Sequence, residues 1–353
     1  MVNNLETVPR PLALSIVIPV YNGAASIAGL VRGLENLSIA GGHEIVLVND
    51  GSTDDSLAVC HDLFDRARIP MTIVSLARNY GEHNAVMAGL RYASGAHVIT
   101  MDDDLQNPPE EVQRLLAFAQ RNGKEVVYTY YYDKRHAVWR NMGSRFANRV
   151  ADFILDKPRG LYLSSFRCMT AFVAREIIRY EGPFPYVDGL ILQVTHDVDR
   201  LLVDHLPRAA GNSNYTVRRL LRLWMNMFVN FSVMPLRIST VTGFALSAFG
   251  AVGVAIAVCE ALISSPPPGW ASLMAAVLLL SGVQLLILGI IGEYLGRLYL
   301  TANQRPQSVV KEMRRTEPRD PAAGSASAPE RVLNLLRQPP GCYPPRGRAG
   351  SSY

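Results

Sequence analysis

Cysteine is scarce here. Cys60, Cys168, Cys259 and Cys342 are the only four, scattered along 353 residues, and none stands at a zinc-ligand spacing. That excludes a disulfide framework and fits a reducing compartment. No G-x-G-x-x-G follows the first apolar run, which disfavours a dinucleotide-binding Rossmann enzyme. The net charge of +5 is modest and unevenly placed, and no helix-turn-helix or RNA-binding signature accompanies it. No nucleic-acid partner is expected. The opening MVNNLETVPRPL has no apolar core before a small-residue cleavage site, so no signal peptide is expected and the N-terminal domain should lie in the cytosol. Charge is absent altogether from 238–259.

What is present begins with strands and helices in alternation. LSIVIPVY (14–21), EIVLVND (44–50), MTIVSLA (71–77), HVITMD (97–102) and KEVVYTYYY (124–132) read as five strands. Helical segments fall at about 24–39, 54–67 and 81–93. Such alternation implies βαβ units and an α/β, doubly wound, mostly parallel sheet. Ligands of such sheets sit outside the carboxyl ends of the strands. There the fourth strand runs into Asp102, Asp103 and Asp104, followed by Leu105-Gln106-Asn107-Pro108-Pro109.

Three adjacent carboxylates repel one another unless a cation lies between them. A hard, oxygen-loving ion, Mg²⁺ or Mn²⁺, is the expected one, bridging carboxylates to phosphates. An acidic turn with Asp104 or Asn107 capping the next helix is the rival reading, and spacing alone leaves both open.

The second half of the chain is built for a lipid surface. Residues 134–155 are helical and basic, with Lys134, Arg135, Arg140, Arg145 and Arg149; Arg140 and Ser144 share a helix face. Residues 215–237 set Arg218, Arg219 and Arg222 beside Trp224, Met227 and Phe228, an amphipathic helix suited to a membrane interface. The uncharged run is long enough to span a hydrocarbon layer of roughly 30 Å. With a second run over 270–292 it predicts a transmembrane hairpin at 238–297 (spans 238–262 and 270–292). Basic residues flank the hairpin outside and are missing from its loop, which places both termini in the cytosol at the inner membrane. Residues 1–13 form an N-terminal tail, 14–214 a cytosolic domain and 298–315 a basic juxtamembrane segment. Residues 316–353, rich in Pro, Gly, Ala, Ser and Arg, form a disordered tail.

Taken in order, IVIPVYN, VNDGSTDDS, RNYGEHNAVMAGL, MDDDLQNPPEE and a two-helix hairpin ending GEYLGRLY resemble a known family. They are similar to the family 2 glycosyltransferases that load polyprenyl phosphate with a sugar (dolichyl- and undecaprenyl-phosphate hexosyltransferases). The wording is nearest that of the undecaprenyl-phosphate formamido-arabinose transferases. The likeness covers about 14–310. It implies a GT-A (nucleotide-diphospho-sugar transferase-like) fold and an inverting transfer from a nucleotide-sugar, UDP being expected, to polyprenyl phosphate in the bilayer.

It also implies residue roles. Pro19, Tyr21 and Asp50 would hold the nucleotide, with His83 beside the donor. Asp102, Asp104 and Gln106 would hold the metal. Arg140 and Ser144 would receive the acceptor phosphate, with Arg135 and Arg145 as neighbours, and Arg208 matches a position just before the interfacial helix. A homo-oligomer is left open.

Two positions depart from that pattern. Where the family reads Tyr-Asn-Glu, this chain has Gly23; where many members carry the base candidate Asp before Phe-Arg, it has Ser165. Loss of a base need not abolish activity. A lipid phosphate with a second pKa near 6 is already mostly a dianion at neutral pH. Asp188 is the replacement carboxylate expected at the mouth, with a helix N-cap as its rival role. Glycosylation of another lipid, or an inactive membrane-anchored scaffold, are the rival functions; the missing Gln-x-x-Arg-Trp motif disfavours polymer extension.

Overall fold

The computed structural model describes residues 12–131, 161–206, 234–263 and 269–316. β1 (Leu14–Val20), β2 (His43–Asn49) and β3 (Met71–Leu76) alternate with α1 (Ile27–Glu35), α2 (Ser56–Asp65) and α3 (Glu82–Leu90). β4 (His97–Thr100), α4 (Pro109–Asn122) and β5 (Val126–Tyr130) follow. After them come β6 (Arg167–Thr170), α5 (Ala171–Ile177), α6 (Val187–Val194) and β7 (Val198–Leu202). α7 (Met234–Ile263), α8 (Trp270–Ala302) and β8 (Val310–Arg315) are the last of the described elements.

Side-chain alternation along the strands builds two apolar layers. Ile16, Ile18, Ile45 and Leu47 face one way, onto Ile27, Leu30 and Leu34 of α1 and Val112 and Leu115 of α4. Val17, Val46 and Val48 face the other, onto Val86 and Met87 of α3, Val173 of α5 and Ile191 of α6. With both faces covered, the β1–β3 strands read as nearly unbroken apolar runs, which is why they were visible in the sequence.

The sheet is mixed rather than mostly parallel. Its order is β7-β5-β6-β4-β1-β2-β3-β8. β1 pairs in parallel with β2 and β4, β2 with β3 and β5 with β7. β6 is antiparallel to both β4 and β5, and β8 to β3. The expected basic juxtamembrane segment is therefore divided: α8 runs on to Ala302, and Val310–Arg315 adds an edge strand to the sheet. Arg314 pairs with Asp65 at 2.8 Å and lies 4.7 Å from the Phe64 ring centre, so this basic residue serves the fold.

The order of strands around β1 places the functional edge. The chain winds outward through β2 and β3, then returns to β4 on the other side of β1, so the winding reverses between β1 and β4. Pro19 helps to open the crevice there. Val17 O accepts from Met101 on the β4 side and Val20 O accepts from Asp50 on the β2 side. Alternation then turns residue 19 toward β4, where proline has no N–H to give. Pairing of β1 with β4 stops at Val17–Thr100, while pairing with β2 runs on to Val20–Asn49. Beyond Thr100 the two strand ends diverge.

α7 and α8 are 30 and 33 residues long, with exposed Phe244, Val252, Leu285 and Leu288. Among the described residues one stretch, Leu280–Ala302, is long and apolar enough to cross a membrane by length and composition. Of the expected interfacial helix, residues 215–233 lie outside the described residues, and 234–237 form the first turn of α7.

Candidate active site

Three loops converge on the crevice. The loop after β1 (Tyr21, Asn22, Gly23) is clasped to the loop after β2. The Asn22 N–H donates to Ser52 Oγ at 3.1 Å, and the Asn22 side-chain oxygen accepts from the Thr53 N–H at 2.9 Å. The Gly23 N–H donates to Ser56 Oγ at 2.9 Å. Asn22 has φ of 55°, a left-handed conformation that asparagine tolerates better than most residues. Tyr21 is half exposed, while Pro19 sits in the strand itself.

Asp50 is buried at the end of β2. Its two carboxylate oxygens accept the backbone N–H groups of Tyr80 and Gly81 at 2.7 and 2.8 Å, ordering the loop before α3. Burial raises its pKa, and those two donors oppose the rise. Gly51 is required beside it: a Cβ there would lie 2.4 Å from the Arg78 carbonyl carbon, at a φ of 61°. Asp50 thus orders the Tyr80–Gly81 segment through backbone contacts.

The acidic run lies at the tip of β4. Asp102 accepts Ser165 Oγ–H at 2.6 Å, and Ser165 O accepts Thr100 Oγ1–H at 2.6 Å. The serine found where an aspartate was expected is thus a donor to Asp102; an aspartate there would set two carboxylates against each other. Burial first, then Glu82 and Asp104, push Asp102 up to about 6 against that hydrogen bond. Burial and then Asp102 and Asp104 push Asp103 up to about 7. Leu105 follows with φ of 60°, unusual for a branched side chain and the kind of backbone outlier that collects at ligand-binding turns. Asp104 accepts the Gln106 N–H at 3.2 Å. It does not cap α4, and neither does Asn107, which accepts the Tyr131 hydroxyl; the N-cap is Pro108.

A carboxyl group with a raised folded pKa binds its proton more tightly in the folded chain. Its stabilising effect is complete below the unfolded value of 3.8 and is lost as pH rises through the folded value. In chelator, Asp103→Asn should therefore gain about 1 kcal/mol on the wild type as pH goes from 6 to 8. Paired thermal melts at those two pH values check it. A constant offset would mean that Asp103 titrates as an ordinary carboxylate.

The remaining expected residues divide into three groups. Gln106 donates its side-chain amide N–H to the Leu206 carbonyl at 3.5 Å. His83 packs edge-on against Tyr186 with ring centres 5.1 Å apart; burial lowers its pKa to about 4, so it is neutral at physiological pH. Asp188 is neither an open mouth residue nor an N-cap. It lies buried in the first turn of α6, hydrogen-bonded to the buried Arg167 guanidinium. Burial opposes Arg167's charge, but Asp188 and Tyr128 hold its pKa above the ordinary value. Arg135, Arg140, Ser144, Arg145 and Arg208 lie outside the described residues. Among the described residues no group of three or more His, Cys, Asp or Glu side chains forms a metal cage.

Sequence reasoning missed one further group. His205 lies tilted against Tyr131 with ring centres 4.1 Å apart, Tyr162 and Tyr131 meet edge to face at 6.3 Å, and the Asp104 charge reaches His205. No motif marks it, because the three rings come from three separate segments.

Comparison with known proteins gives this edge a context. Residues 15–179 match the family described as glycosyl transferase family 2, and residues 234–298 match the GtrB C-terminal hairpin. A relative from Pseudomonas savastanoi pv. phaseolicola, an undecaprenyl-phosphate 4-deoxy-4-formamido-L-arabinose transferase, is 35% identical, with 87% of this chain aligned to 93% of that one. The chain belongs to glycosyl transferase family 2.

A Pseudomonas aeruginosa transferase of the same name is 33% identical over 88% of this chain and 93% of its own. Among solved structures, S. aureus TarS 1–349 with UDP-GlcNAc is similar at TM-score 0.44 and 17% identity, over 63% of this chain and 68% of that one. M. tuberculosis glucosyl-3-phosphoglycerate synthase, in complex with Mn²⁺ and UDP, gives 0.46 and 17%, over 62% and 78%. By its family and its relatives the chain is a glycosyltransferase, and its sheet is the mixed α/β one described above.

Proposed function

We propose that this family 2 glycosyltransferase moves a sugar from a nucleotide-sugar, most simply a UDP-sugar, to polyprenyl phosphate at the cytosolic face of a membrane. The observation that carries this reading is the Asp102 and Asp104 pair at the tip of β4, beside the crevice that opens at Pro19, in a chain that also holds the two long apolar helices. The names of the relatives support undecaprenyl phosphate as the acceptor.

The carboxylates fit a divalent ion, Mg²⁺ or Mn²⁺. Burial first, and then the neighbouring carboxylates, raise Asp102 and Asp103; a cation would relieve the second of these, and two carboxylates plus substrate phosphates are an ordinary Mg²⁺ environment. Bound by Asp102 and Asp104, the ion would neutralise charge on the departing nucleoside diphosphate. Tyr21 offers its ring to the base, and Asp50 holds the Tyr80–Gly81 loop that walls the nucleotide pocket. An oxygen of the acceptor phosphate attacks the anomeric carbon while the bond from that carbon to the diphosphate oxygen breaks. One such displacement inverts the configuration. The acceptor arrives mostly as a dianion, so no side chain has to remove a proton. Arg135, Arg140, Ser144, Arg145 and Arg208 are assigned to the acceptor phosphate, and α7 and α8 to a transmembrane hairpin that brings it within reach.

The test is a panel of labelled sugar nucleotides offered to the purified protein with undecaprenyl phosphate, with and without chelator. Label in the lipid fraction, released by mild acid, is the expected result for a glycosyl phosphate. Acid-stable product would indicate another lipid acceptor.

A further inference from the structure

Gly23 and Asp103 occupy one space. A Cβ built on Gly23 would lie 2.0 Å from Asp103 Oδ2 and 2.9 Å from its carboxyl carbon, distances that no real Cβ tolerates. The Asp103 carboxylate reaches from the tip of β4 into the hollow where the side chain of residue 23 would stand. It accepts the Tyr21 backbone N–H there, while its Oδ2 is shielded from solvent and has no hydrogen-bond partner among the described residues. The loop after β1 is therefore held from two sides: by Ser52, Thr53 and Ser56 from β2's loop, and by Asp103 from β4's.

We propose that Asp103 is a positioning residue for donor binding: its side chain takes the place that Gly23 leaves empty and locks the Tyr21 loop to the Asp102–Asp104 pair. Positions 23 and 103 then form one reciprocal unit, in which a side chain at one excludes a side chain at the other. This also gives the departure at position 23 a physical reason. A glutamate there would collide with Asp103, and the chain supplies the carboxylate from the opposite loop. The inference rests on the reading of this edge as the donor site.

A double-mutant cycle on the full chain tests it, read as UDP affinity by calorimetry, donor KM against kcat, and melting temperature. Gly23→Ala alone should weaken UDP binding about tenfold, because the added methyl displaces Asp103. Asp103→Ala alone should weaken it by a similar factor. In the Asp103→Ala background, Gly23→Ala should cost less than about twofold, and Gly23→Glu should recover much of the affinity. Asp103→Asn should stay near the wild type, since an amide fills the same space and accepts the same N–H. The losses should fall on KM, with every variant still folded at the assay temperature.

Additive effects around the cycle would overturn the proposal. So would an Asp103→Asn as impaired as Asp103→Ala, which would make the charge rather than the fit the cause. Failure of the wild type to bind UDP at all would instead overturn the nucleotide reading on which the unit rests.

Discussion

Asp104→Asn is expected to lower sugar transfer by about 10³-fold while leaving the fold intact. The magnitude follows from what the carboxylate is assigned to do: removing one preorganised electrostatic contact to a developing charge typically costs about 10²–10³-fold, and a weakened metal adds to it. The neutral amide keeps the size and the oxygen that accepts the Gln106 N–H, so the turn at Leu105 should survive. Stability should change little, or rise slightly at pH 8, because Asp104 is one source of the repulsion that raises Asp102 and Asp103. Labelled sugar entering the lipid fraction, measured over a titration of Mg²⁺ or Mn²⁺, gives the readout. Turnover like the wild type's, or an unimpaired rate in chelator, would remove Asp104 from the metal assignment.

The parts of this chain that announced themselves were those under a single demand. β1, β2 and β3 are covered on both faces and spell near-continuous apolar runs, and β4 ends on charges because the sheet ends there. β6 and β8 answer to two demands at once. Arg167–Thr170 begins with an arginine that must reach Asp188, and Val310–Arg315 is an edge strand carrying Lys311, Glu312, Arg314 and Arg315. Neither has an apolar pattern, so the antiparallel half of the sheet was not visible. The site divides in the same way. Asp102 and Asp104 could be placed because strand ends place themselves; the Ser165 donor and the fit of Gly23 to Asp103 could not, since each joins residues far apart in sequence. The burial of Asp188 was not visible either, because an aspartate in a loop before an apolar run gives no sign of a buried partner 21 residues earlier.

That buried pair carries the second large expectation. Asp188→Ala should destabilise the protein by about 3–5 kcal/mol, because the Arg167 guanidinium would stay buried without its counter-charge. Against a total of about 5–15 kcal/mol for a typical domain this is a severe loss. Arg167→Ala should cost as much for the converse reason, and removes packing beside Tyr128 as well. Replacing both partners together, with Arg167→Met and Asp188→Leu, should restore much of the loss, since the uncompensated charge goes with the ion pair. A catalytic base at position 188 makes a different forecast: the double replacement would then be stable but inactive. If Asp188 only supports the fold, activity per folded molecule should persist in that double variant, tested by melts and by initial rates taken well below the transition. Survival of transfer there would place the proton economy of the reaction with the acceptor, whose phosphate has already lost its proton at neutral pH.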